Sequence, residues 1–138
     1  KYINGYNMRY SMTGGFGQYP AFLEDRTLYE TTSQTYVQAN RLTTDASVEA
    51  GTYRIGWSFH GAHSGNNDEF QYRIQVDDTT TVEERNVLPH SAGVYTYLGG
   101  FTNITLTAGS HTIDLDVRSV DAGTTSVDDV RIEFWRIS

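Results

Sequence analysis

Five close pairs of carboxylates are the side chains best spaced for chemistry in this chain: Asp68-Glu69, Asp77-Asp78, Glu83-Glu84, Asp114 with Asp116, and Asp128-Asp129. Asp114 and Asp116 are two apart, so an extended strand puts both on one face, opposite Ile113, Leu115 and Val117. Two like charges so placed repel unless a cation or an arginine lies between them. A glycosidase pair or a calcium site can use that arrangement, but no EF-hand-like spacing accompanies it. The plainer reading is a solvated outer face on which Arg73, Arg118 or Arg131 neutralises the acids.

Histidines and serines add little. His60 and His63 bracket Gly61-Ala62, a spacing that can share a metal on a helix but that a strand-to-loop junction does not guarantee, so polar loop histidines are the plainer reading. His90 and His111 have no neighbouring ligand pattern. Ser58, Ser64 and Ser91 lack a nucleophile-elbow motif. The expectation is a protein with no catalytic residues, no metal ligands and no cofactor, and not an enzyme.

These residues sit on a scaffold that reads as strands. Ile104 and Leu106, then Ile113, Leu115 and Val117, then Val130, Ile132 and Phe134 recur at every second position, with turns at Thr107–Ser110 and Asp121–Thr125. Upstream, Tyr53, Ile55, Trp57 and Phe59 form one such set, and Phe70, Tyr72, Ile74 and Val76 another. A strand is expected around Thr35–Leu42, a polar loop over His60–Asn67, a long connection over Thr79–Gly93 holding Pro89, and a glycine-punctuated strand over Val94–Phe101. The fold class is therefore all-β: an antiparallel jelly-roll β-sandwich of about eight strands over residues 21–138, preceded by an irregular arm over residues 1–20. Burying side chains such as Tyr53, Ile55, Trp57, Phe59, Ile113 and Phe134 gains roughly 1.5–3 kcal/mol each, against the ordering entropy of a chain without disulfides.

Composition narrows the partners. The chain has 138 residues, a formal net charge of −7, no cysteine, and Lys1 as its sole lysine. Too few cations are present to displace counterions from a phosphate backbone, so nucleic acid is not expected as a partner, and neither is an anionic membrane. No apolar run approaches the ~20 residues of a membrane-spanning helix. The chain starts at Lys1 without a methionine, as a processed protein or a fragment does. Aromatic side chains carry more of the functional signal. Trp57 belongs to an inward set, whereas Trp135 falls on the face opposite Val130, Ile132 and Phe134, in register with Arg131, Glu133 and Ile137. An outward Trp and Ile on one strand make an apolar strip of the kind that marks an interface or a ligand platform, or that the N-terminal arm covers as a second layer. With the aromatics of the arm (Tyr2, Tyr6, Tyr10, Phe16 and Tyr19) and with Tyr95 and Tyr97, Trp135 and Ile137 are the candidate interface residues.

The segments Ala50–Phe59, Phe70–Asp77, Leu106–Leu115 and Val130–Ile137 resemble small trimeric jelly-roll domains of tailed-bacteriophage virion proteins, a likeness that runs over roughly Thr35–Ser138. It implies a homotrimer on the capsid exterior, a decoration (cement) protein whose partners are the major capsid protein or other virion subunits, with residues 1–20 as the attachment arm. A receptor-binding fibre or tail tip, with a host-surface glycan as partner, is the alternative within the same family. Ala50–Tyr53, Leu106–Ile113 and Val127–Val130 are also similar to β-sandwich carbohydrate-binding modules. In that reading Tyr95, Tyr97 and Phe101 supply the sugar platform, since His60–Asn67 holds neither Tyr nor Trp.

Overall fold

The computed structural model describes residues 21–46 and 48–138. Among the described residues nine strands make two antiparallel sheets: β1 (Ala21–Asp25), β2 (Tyr29–Thr31), β3 (Val37–Thr43), β4 (Gly51–His63), β5 (Phe70–Val76), β6 (Thr80–Val87), β7 (Thr96–Leu106), β8 (Thr112–Ser119) and β9 (Thr125–Arg136). One sheet runs β1-β9-β4-β7, with β2 also on β9, and the other runs β3-β8-β5-β6. Five of the pairings nest: β5 with β6, β4 with β7, β3 with β8, and β1 and β2 each with β9. The chain is thus one long hairpin whose two arms wind together around the core, and the β4–β9 and β5–β8 contacts close the roll. That is a jelly roll.

The tip of this hairpin is the turn after Val76, where Asp77 and Asp78 have φ of 53° and 58°. Two successive left-handed residues are the mark of a type I′ turn, whose twist matches that of the flanking strands. Its strain is offset locally. The Asp77 carboxylate accepts the Thr112 backbone N–H at 2.9 Å and faces His111 Nδ1 at 2.7 Å, which ties the tip to the start of β8.

The core lies between the sheets and is built from the expected period-two sets. Tyr53, Ile55, Phe59, Phe70, Ile74, Ile113, Leu115, Val117, Ile132 and Phe134 are all sealed from solvent. Tyr53 stacks on Phe134 with ring centroids 4.5 Å apart, and Phe59 meets Tyr72 edge-on at 4.9 Å. Trp57 is buried, as its inward position requires. A bulge in β9 at Asp129, whose φ is 49°, shifts the register against β4 between Ser58 and His60. Val127 and Val130 therefore both reach the core although three residues apart.

Four boundaries differ from the sequence reading. Thr79–Gly93 is not one long connection, because Thr80–Val87 forms edge strand β6 along β5. β4 extends through His63, so His60–Asn67 is only partly loop, and His63 is buried. The segments around Val94–Phe101 and Asn103–Leu106 are one continuous strand, β7. Finally, there are nine strands among the described residues rather than about eight, because the stretch before β3 supplies both β1 and β2.

Candidate functional site

The outward side of the β1-β9-β4-β7 sheet carries the exposed aromatic side chains. The β4–β7 register sets His60 against Tyr97, Ser58 against Gly99 and Gly56 against Phe101. On the other flank, Arg54 opposes Trp135, Gly56 opposes Glu133 and Ser58 opposes Arg131, while β1 adds Phe22 beside Glu133 and Glu24 beside Arg131. Along the centre of this face β4 presents only Gly56 and Ser58, so the floor is low. The result is an open basin of about 730 Å³ lined by Arg54, Gly56, Trp57, Phe101, Glu133 and Trp135 together with Ser58, Gly100, Arg131, Arg136 and Ile137.

Gly100 is what lets Trp57 lie beneath β7. A Cβ at Gly100 would stand 2.9 Å from Trp57 Cζ2, closer than real side-chain carbons approach one another. Above this floor Phe101 is 64% exposed and Tyr97 63%, and Ile137 is exposed as well. The Arg54 guanidinium lies over the Phe101 ring, 4.4 Å from its centroid. His60 meets Tyr97 edge-on at 5.1 Å and faces Asp128 through Nδ1 at 3.3 Å. Arg131 leans instead towards Glu24, 3.3 Å away.

Of the interface residues expected from sequence, the fold gathers Tyr97, Trp135 and Ile137 on or beside this sheet, with Trp135 half-buried. Tyr95 is exposed just before β7. Tyr2, Tyr6, Tyr10, Phe16 and Tyr19 lie outside the described residues. Arg54 and Phe22 were not singled out from sequence, and Glu133 was read only as sharing the outward face of Trp135. The alternation that sends Tyr53 and Ile55 inward also sends Arg54 outward, but only the pairings of β4 with β7 and β9 place it beside Phe101 and Trp135.

The acidic pair is a structural device of the other sheet. Asp114 is 1% exposed and Asp116 is buried too, which corrects the expectation of a solvated face. Arg41 on the neighbouring strand β3 donates through Nε to Asp114 Oδ1 at 2.7 Å and also pairs with Asp78, while Arg73 on β5 donates to Asp116 at 2.8 Å. Arg118 is spent elsewhere, on Gln71 and on the Gln34 carbonyl, and Arg131 belongs to the opposite sheet. Only Arg73 of the three expected counter-ions serves the pair. Burial raises the Asp114 carboxyl above the ordinary carboxylate range, and the contacts from Arg41 offset this only in part.

The histidines do not converge. His63 Nδ1 accepts the Gly65 backbone N–H at 3.0 Å inside the sandwich, whereas His60 stands on the outer face. No three His, Cys, Asp or Glu side chains among the described residues are grouped as a metal site would require. His111 has an acceptor at each ring nitrogen: the Asp77 carboxylate at Nδ1 and the Thr107 carbonyl, 2.8 Å from Nε2. Both nitrogens must donate to satisfy that geometry, which is the protonated form. Burial works against the charge, but the bonds to Asp77 and Thr107 and the Asp77 charge outweigh it, and the pKa is raised above 6.5.

No protein-family model matches the chain, and no curated protein sequence matches it. Solved structures do share its fold. The Eiger TNF of S. frugiperda superposes with a TM-score of 0.58 at 10% identity, covering 83% of this chain and 90% of that one. The C-terminal domain of EclA, described as a sugar-binding protein, gives 0.52 at 11% identity over 78% of this chain and 77% of that one. The insecticidal delta-endotoxin Cry8Ea1 of Bacillus thuringiensis gives 0.52 at 14% identity, over 80% of this chain but only 20% of the toxin. At such identities the likeness is one of fold. The chain is a jelly-roll β-sandwich.

Proposed function

We propose that this chain is a non-catalytic structural protein of a tailed-phage virion, a homotrimeric jelly roll bound to the capsid exterior as a decoration protein. The observation that carries the reading is the outer face of the β1-β9-β4-β7 sheet, where Phe101, Tyr97 and Ile137 stand in solvent on a rigid platform. Rings held on a strand lose little entropy on association, and each buries a large apolar area once covered. Around a threefold axis one such patch on every copy closes a ring and leaves no copy with an open face. The acidic surface keeps the free chain soluble and disfavours nucleic acid as a partner.

Light scattering on the purified chain tests this. A particle of three chain masses is expected, and it should bind to capsids stripped of it. A lasting monomer would end the reading.

A second reading is favoured by the basin itself. Trp135 and Phe101 at its rim, with Arg54, Ser58 and Glu133 beside them, offer the ring faces and polar groups that a sugar uses. In that case the chain is a glycan-binding module, either free-standing or at a fibre tip. A monomer retarded on polysaccharide gels is its signature.

A further inference from the structure

The charges on the aromatic face differ from those elsewhere on the protein. Among the described residues, Arg26, Arg41, Arg73, Arg85, Arg131 and Arg136 each lie within ion-pair distance of a carboxylate. Arg118 gives its donors to Gln71 and to the Gln34 carbonyl. Of the described arginines Arg54 alone has neither kind of partner among the described residues; its guanidinium rests on the Phe101 ring. Glu133 is its counterpart. It is exposed, opposite Gly56, and its carboxylate takes part in none of the ion pairs or side-chain hydrogen bonds of the described residues. The two stand on the same face, diagonal to one another across β4 and β9, and do not bond each other.

An aromatic patch that becomes buried takes its charges with it, and a buried unpaired charge is costly. A surface meant for an apolar partner has no use for both. One cation and one anion on a single face, each without an ion-pair partner among the described residues, are complementary to that same face on another copy. We infer that Arg54 of one copy pairs with Glu133 of the next, fixing the register in which the aromatic faces meet. This inference rests on the assembly reading above and names the contact that directs it. Arg54 suits the role because its planar guanidinium keeps its stacking on Phe101 while its edge binds a carboxylate in two places.

A charge swap tests it. The wild type, Arg54→Glu, Glu133→Arg and the double variant are compared by light scattering across a dilution series, with thermal melts of each to confirm the fold. Each single variant is expected to weaken association about tenfold or more, and the double variant to restore it to within a few-fold of wild type. Raising the salt from roughly 0.15 M to 1 M should weaken the wild type and leave an Arg54→Met, Glu133→Gln double variant almost unchanged. If the wild type assembles and the single variants assemble equally well, or if the swap rescues nothing, the pairing is wrong while assembly stands. A wild type that never assembles removes both.

Discussion

On the β3-β8-β5-β6 sheet, the outward positions carry Arg41 with Asp114, Arg73 with Asp116, and a chain from Arg118 through Gln71 and Asn86 to Glu69. The corresponding positions of the other sheet carry Tyr97, Phe101, Trp135 and Phe22, with glycines between them and two charges left over. Both faces come from the same pleat and the same roll. The first spends its hydrogen-bonding capacity on itself and gains little from a neighbour; on the second, Tyr97 and Phe101 stand exposed, and Arg54 and Glu133 have no ion-pair partner among the described residues. A face whose charges are paired within one chain serves stability, and the face with exposed rings is the one on which the proposed association rests.

Removing Arg41 should break the comparison most severely. Arg41→Met strands Asp114, and the loss is expected at about 3–5 kcal/mol in urea denaturation, with the assembly state of the remaining folded protein unchanged. On the opposite face the pattern should invert. Phe101→Ser should cost association about 2 kcal/mol or more by sedimentation and shift the monomer's stability by no more than about 0.5 kcal/mol. Gly100→Ala lies between these extremes, because its Cβ would push on Trp57 beneath the face; a destabilisation of about 1–3 kcal/mol is expected by thermal melting.

The smallest effect belongs to His111. Its folded pKa is raised above 6.5, so its contribution is whole below that pH and is lost as pH rises through the folded value. The groups facing it are the Asp77 carboxylate and the Thr107 carbonyl. Denaturation midpoints should therefore fall with rising pH over that window, and Asp77→Asn should flatten the trend.

The core was legible because burial imposes a period of two and the chain keeps it. Tyr53 to Phe59, Phe70 to Val76, Ile113 to Val117 and Val130 to Phe134 all pointed inward as read, and Trp57 and Trp135 fell on opposite faces as read. β6 was missed because an edge strand packs along one side only. Of TTVEERNV, Val87 alone is buried, so no alternation marks it. β7 was divided after Phe101, and its Gly99-Gly100 was read as punctuation within a strand, although Gly100 is there to make room for Trp57 on the neighbouring strand.

What the order of residues determined by itself was the side of the pleat on which each residue stands, because alternation is a local property of extended backbone. Which strands became neighbours was decided by the wound hairpin, through contacts between residues far apart in the chain. That choice gave Asp114 to Arg41 rather than to Arg118 or Arg131, and it set Arg54 and Glu133 among the rings of one sheet. Side-chain direction depends on a residue and its immediate neighbours, whereas adjacency of strands depends on how the whole apolar set is sealed at once, and only the folded chain resolves that.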